Sequence, residues 1–381
     1  MAADPFDLLS AARSRFCSQP LEVAPGLFVR CQSRRRSVCP SCSDLYRGDW
    51  DHIARAGIYT LDGTPVAGHR FYFITLSAPS FGQVHRVPST ATQRARRCAC
   101  GRSHAQGDAD LRGVPIDLDR YKYRQQVSWH LGLGRLWNST VMAMRDLAPD
   151  LAFFAVREAQ ARMALHVHAL VRVPEAQAVP AEALGRAARR ATAIHPVTRR
   201  IVRWGQRGAK DSEIAPMTAL AAEALPTEGA PPTESVAASR VARYVSKAVT
   251  YSLKDITPGD EASAIGASPL RLEFIRRLHA AARFEVRCPK CGHAGPRNCA
   301  ARSHSNLGYS GHTVSVSRAT PERAGWALTG VTRASLRERR REWMEENAAD
   351  LLGAGLDHTA LNVAEWIQSE LNRRARAPER P

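Results

Sequence analysis

Residues 164–173 read ALHVHALVRV, an apolar run of strand length that carries His166 and His168 on an otherwise greasy segment. Side chains two apart on a strand leave the same face, so both imidazoles project together. The residues just upstream, DLAFFAVREAQARM, read as a second strand and a short polar turn, which makes 150–173 a hairpin. Glu158 shares the parity of the two histidines, and the hairpin lays it, with Gln160, beside them. One carboxylate and two imidazoles with room for water and substrate oxygens suit Mg²⁺ or Mn²⁺, the ions of phosphoryl chemistry. The opposing reading of the same residues is a hydrogen-bonded polar trio that serves the core.

Further from the hairpin, RFYFITLSAPSFG (70–82) reads as a central strand with Phe71, Phe73 and Thr75 on one face. Helical periodicity marks 44–56, 121–147, about 180–192, 239–255 and about 269–284, and two charged helices fall in the last 60 residues. The stretch ALPTEGAPPTESVAAS is of low complexity and is expected to be mobile. The helix at 239–255 holds two Tyr-x-x-Lys units, Tyr244 with Lys247 and Tyr251 with Lys254. Seven residues make nearly two turns, so the tyrosines share one face and the lysines another. A phenol is a poor nucleophile until positive charge assists it, and a nearby ammonium gives that help. Tyrosines at this spacing also pack into cores.

Composition narrows the partner. The 381 residues carry 54 Lys+Arg against 36 Asp+Glu, a net charge of +18, which points to a polyanion and hence to nucleic acid. Only five of the cations are lysines, at 122, 210, 247, 254 and 290, and two of these fall in the tyrosine helix. The arginine runs Arg34-Arg35-Arg36 and Arg96-Arg97 are expected to grip phosphates, which adds affinity without sequence reading. No signal peptide and no apolar run of membrane-spanning length is visible, so the expectation is a cytoplasmic protein with no membrane partner.

In that compartment the nine cysteines are not expected to form disulfides, and those paired at short spacing read as zinc ligands. Cys39 and Cys42 form C-x-x-C and Cys98 and Cys100 form C-x-C; together they make a Cys₄ zinc site joining two loops, with Cys31 or His104 as substitutes. Cys288 and Cys291, followed by Cys299 and His304, make a second site, and Cys17 is left as a free thiol. Reduced free thiols are the bland alternative for both groups.

Taken in order, CQSRRRSVCPSCSDLYRGDWDHIARAG, FITLSAPSFGQVH, CACGRSH, EAQARMALHVHALVRV, VARYVSKAVTY and LGYSGHTVSVSR resemble segments of the replication initiators of actinobacterial rolling-circle plasmids and integrative elements, which belong to the HUH endonucleases. The resemblance covers about residues 28–318. It implies an α+β fold: an HUH palm, that is, a five-stranded antiparallel sheet with flanking helices, plus zinc-binding loops and a helical C-terminal region. His166 and His168 match the family's His-hydrophobic-His motif, Glu158 a common position of the third metal ligand, and YVSK the nucleophile helix. Many relatives carry a second tyrosine four residues after the first, where this chain has Ala248, so Tyr244 matches the nucleophile better. Tyr251 with SLKD resembles the single-tyrosine form and stays a close second.

The resemblance implies a nickase that attacks single-stranded or hairpin origin DNA, keeps a 5′-phosphotyrosine, frees a 3′-OH primer and later rejoins the strand. No P-loop is present, so a host helicase and a host polymerase are the implied partners. The division it suggests is an N-terminal region with a zinc loop (1–66), the palm (67–256) with a zinc-loop insertion (96–113) and a flexible insertion (174–237), a helix with a second zinc segment (257–318), and a basic helical end (319–381). Two other readings stay open: a conjugative relaxase or HUH transposase, and a non-catalytic zinc-containing regulator that binds DNA.

Overall fold

The computed structural model describes residues 17–24, 27–90, 93–206, 211–214, 238–249, 267–286, 288 and 302–346. The chain divides into two compact units, Met1–Ile53 with Gly330–Pro381, and Ala54–Thr329.

The larger unit is built on one antiparallel sheet. Its strands are β3 (His69–Ser77), β4 (Ala152–Ala159), β5 (Leu165–Pro174), β8 (Ser212–Ile214) and β9 (Val314–Val316), in the order β8-β3-β5-β4-β9. The central strand β5 is buried almost throughout, and apart from His166, His168 and Arg172 its residues are apolar because both of its faces are covered. Leu165, Val167, Ala169, Val171 and Val173 enter the main core with Tyr72, Ile74 and Leu76 of β3. Helix α2 (Tyr123–Arg145) lies on that side and adds Val127, Trp129, Leu133, Leu136, Trp137, Val141 and Met144. Burying one such side chain contributes about 1.5–3 kcal/mol, so this layer sets the register of the sheet.

Helix α4 (Ala238–Ala248) packs against β4 and β5. Its buried residues Val241, Ala242 and Val245 follow the i, i+1, i+4 spacing of a packed stripe. Helix α5 (Pro269–Glu285) packs on α2 and opens with Ser268 capping the amide of Arg271.

Where it is described, the 174–237 stretch carries regular structure, including the helix expected at about 180–192. It forms α3 (Ala181–Arg190), the hairpin β6 (Thr192–Ile194) and β7 (Ile201–Arg203), and edge strand β8. Buried apolar anchors inside a polar composition hold it: Leu184 and Ala188 on α3, and Trp204, whose indole N–H donates to Thr140 Oγ1 at 2.8 Å. The low-complexity stretch at 215–237 lies outside the described residues. The segment beyond 257 also reaches into the sheet, since β9 pairs with Phe154 to Val156 of β4.

The smaller unit contains the hairpin β1 (Leu21–Ala24) and β2 (Leu27–Val29), helix α1 (Pro40–Arg55), and helix α6 (Arg333–Glu346). Buried Asp49 of α1 takes hydrogen bonds from Arg340 and Arg333 of α6.

Candidate functional site

The register of the β4–β5 hairpin sets Glu158 directly opposite His166 and Val156 opposite His168. On the other side, Thr75 of β3 stands opposite His168. Glu158, His166, His168 and Thr75 therefore share the sheet face away from α2, at the end where its apolar run of Phe71, Phe73, Phe154 and Leu170 gives way to polar groups.

Glu158 Oε2 lies 3.0 Å from His166 Nε2 and 3.3 Å from His168 Nε2, and donor atoms of all three residues fall within 4.8 Å of one another. His168 is buried; its Nδ1 is 3.0 Å from Thr75 Oγ1, which leaves Nε2 to face Glu158. Such a partner on the second ring nitrogen is how proteins orient metal-ligating histidines. Phe73 stacks on the His168 ring at 5.4 Å between centroids and 15° between planes. Burial, with the neighbouring His166, lowers the His168 pKa to about 4, so the imidazole is neutral, the form that ligates metals. Burial would raise the Glu158 carboxyl, but hydrogen bonds from His166 and His168 outweigh it and hold the group well below the usual carboxylate range. The trio is thus an anionic oxygen and two imidazoles converging on one point, a donor set that fits a divalent cation.

Helix α4 brings Tyr244 over this group. Its hydroxyl is 3.5 Å from His168 Nε2, and its ring meets His168 and Phe73 edge-on. Burial, and then the Glu158 carboxylate, push the Tyr244 phenol up, so in the absence of added positive charge it stays protonated. Lys247 follows on the same helix, half-buried. Tyr251 and Lys254 lie outside the described residues. Gln160 does not join the trio: it sits at the hairpin turn, and its side chain accepts from Arg162 Nε at 3.0 Å.

The cysteines sort differently from the sequence expectation. Cys39 and Cys42 do not share a site with Cys98 and Cys100; each pair completes its group within its own unit. Cys17, read above as a free thiol, joins Cys31, Cys39 and Cys42, with Cys17 Sγ 3.8 Å from Cys42 Sγ and 4.0 Å from Cys39 Sγ. Burial raises the Cys39 thiol, yet backbone amides of Cys42 and Ser18 more than offset this and bring it to about 7. Cys98 and Cys100 instead meet His85 and His104. Short spacings fix only half of a four-ligand site, and chain closure chooses the other half. Cys288 and His304 are buried, while Cys291 and Cys299 lie outside the described residues.

Arg96 and Arg97 are exposed on the larger unit. In the smaller unit Arg34 and Arg35 are half-buried and Arg36 pairs with Asp44 at 3.0 Å. Among the described residues no helix is long and apolar enough to cross a membrane. Sequence reasoning missed Cys17, His85 and the role of Thr75; the signal for Thr75 was its parity with Phe73 on β3.

Fold and site together define an α+β protein whose antiparallel sheet carries a carboxylate–imidazole centre beneath a helix-borne tyrosine. Residues 13–379 match the family described as replication initiator protein, pSAM2 (RepSA). The chain is also 31% identical over 384 aligned positions to a replication initiator protein of Streptomyces ambofaciens, covering 90% of this chain and 77% of that one. The chain belongs to this family of replication initiators. No solved structure matches it.

Proposed function

We propose that this initiator is an HUH endonuclease that nicks and rejoins single-stranded origin DNA through a tyrosine. The observation that carries the reading is the Tyr244 hydroxyl 3.5 Å from His168 Nε2, beside a Glu-His-His group able to hold a cation. Glu158, His166 and His168 hold Mg²⁺ or Mn²⁺. When bound, the ion supplies Lewis-acid charge that offsets the charge developing on the scissile phosphate.

The residues of the chain do the rest. Tyr244 Oη gives up its proton to solvent as it forms a bond to phosphorus, the bond from phosphorus to the 3′ oxygen breaks, and that oxygen takes up a proton from solvent to become a free 3′-OH. The phosphodiester is conserved as a 5′-phosphotyrosine, so a later 3′-OH attack closes the strand without ATP. Thr75 and Phe73 hold the His168 ring in place, and Lys247 adds positive charge on the nucleophile helix. Tyr251 with Lys254 is held in reserve for the second transfer. Arg34, Arg35, Arg36, Arg96 and Arg97 contact phosphates. The Cys17, Cys31, Cys39, Cys42 group binds a structural Zn²⁺, as does the segment of Cys288, Cys291, Cys299 and His304. A host helicase and polymerase extend the freed primer.

The test is a denaturing gel of the full chain with a single-stranded oligonucleotide from the element's origin. A nick and a DNA–protein adduct that both require Mg²⁺ or Mn²⁺ support the reading. Tight origin binding with neither product supports the non-catalytic regulator instead.

A further inference from the structure

The loop between β3 and α2 carries a donor group that the proposed DNA chemistry does not use. His85 Nδ1 lies 3.2 Å from His104 Nε2, Cys100 Sγ 3.3 Å from His104 Nε2, and Cys98 Sγ 3.9 Å from His85 Nδ1. All four donor atoms fall within 4.8 Å of one another. A tetrahedral zinc with bonds of about 2.0–2.3 Å sets its donors about 3.3–3.8 Å apart, and the three separations just given fall within a few tenths of an ångström of that range.

The surroundings are those of a ligand site. Cys98 and His104 are each 2% exposed. The second nitrogen of His104, Nδ1, is 3.1 Å from Asp108 Oδ2, and that oxygen also accepts the Ala105 amide at 3.2 Å. A carboxylate behind a histidine fixes its ring and raises its basicity as a ligand. The amide of Arg86 donates to Cys98 Sγ at 3.5 Å. The two thiols are presented by a tight turn in which Cys98 N donates to Arg102 O and Gly101 N to Cys98 O, with Gly101 at φ +89°. Four protein donors, two of them soft, leave no open position for substrate, which is the pattern of a structural zinc.

The same loop touches the catalytic hairpin. The His85 amide donates to Val114 O at 2.8 Å, and the Gly113 amide returns to His85 O at 3.1 Å. Gly113 has φ +76° and lies so close to the β4–β5 turn that a Cβ there would stand 2.3 Å from the carbonyl carbon of Ala161. That turn joins Glu158 to His166, and its Arg162 donates to the carbonyls of Ala78 and Pro79 beyond β3, each at 2.9 Å.

We propose that His85, Cys98, Cys100 and His104 bind one Zn²⁺, backed by Asp108, and that this ion clamps the loop that buttresses the Glu158–His168 hairpin. His85 is then a positioning residue for the hairpin as well as a ligand. The zinc site stands independently of the nicking reading, because none of its residues belongs to the Glu-His-His group.

The test uses the full chain. Elemental analysis is expected to show one zinc equivalent fewer per chain in His85→Ala and Cys100→Ser than in the native protein, and native content in His85→Cys, which keeps a ligand. In the native protein, Cys98 and Cys100 are expected to resist iodoacetamide until a strong chelator is added, a measurement that needs no variant to fold. Hydrogen exchange across residues 159–163 is expected to quicken about tenfold or more in His85→Ala. Native zinc content in His85→Ala, or equal alkylation of Cys98 and Cys100 with and without chelator, would overturn the site. Lost zinc with unchanged exchange at the turn would overturn the clamp.

Discussion

The larger unit holds two groups that converge on a point, and both use imidazoles. In one, His166 and His168 meet a carboxylate on paired strands, partly open to solvent, with a tyrosine hydroxyl 3.5 Å from a ring nitrogen. In the other, His85 and His104 meet two thiols inside a loop and are backed by Asp108. The first set offers three protein donors, one hard carboxylate and two imidazoles; the second offers four, two of them soft thiols. On the functions proposed for the two groups, the same residue type serves chemistry in one and architecture in the other. The neighbouring donors and their number make that difference.

The largest expected effect breaks the two groups apart. His168→Ala should lower nicking about 10³-fold or more, the scale of lost electrostatic stabilisation, while zinc content stays native and origin binding holds, measured by gel assay, elemental analysis and anisotropy. Equal losses of binding and cleavage would mean that the trio merely serves the core.

A third imidazole sharpens the comparison. His130 of α2 is fully buried: its Nδ1 donates to Leu307 O at 2.9 Å, and its Nε2 accepts the Leu165 amide at 3.2 Å, one residue before His166. Burial lowers its pKa from 6.5 to about 4. The unfolded chain therefore binds a proton that the folded chain refuses between those values, so stability is full above pH 6.5 and falls as the pH drops towards 4. The loss amounts to about 3 kcal/mol. Urea melts at pH 7 and pH 4.5 should show that slope in the native protein and a flatter one in His130→Gln. Parallel slopes would mean that His130 does not titrate in this window.

Smaller effects follow at the hairpin itself. Gly113→Ala places a side chain at positive φ against the Ala161 backbone and should cost about 1–3 kcal/mol in chemical denaturation. A cost under a few tenths would show that the loop does not press on the turn. Smallest of all, Glu158→Ala assayed in raised Mn²⁺ should recover to within about tenfold of native nicking, since mass action replaces a lost ligand. A deficit that ignores Mn²⁺ would argue against ligation by Glu158.

What the sequence disclosed follows local rules. Period-two parity put Glu158, His166 and His168 on one face, and a short polar turn between two strand-like runs brought them together. Helical spacing likewise placed Tyr244 on a helix. The cysteines resisted because C-x-x-C states two ligands and says nothing about the other two: Cys17 precedes Cys39 by 22 positions, and His85 precedes Cys98 by 13. The spacing H-x₁₂-C-x-C-x₃-H was present to be read, but only loop closure gives it meaning. Edge strands β8 and β9 are three residues each and were invisible to any pattern that needs a longer run. Gln160 misled because parity continues through a turn on paper but not in space.

The most direct test of tyrosine-mediated nicking is to form the adduct on a single-stranded origin oligonucleotide with Mn²⁺, digest the protein and map the modified peptide. DNA is expected on the fragment carrying Tyr244, with no adduct in Tyr244→Phe. DNA on a fragment carrying Tyr251 alone, or an adduct that survives Tyr244→Phe undiminished, would contradict the assignment.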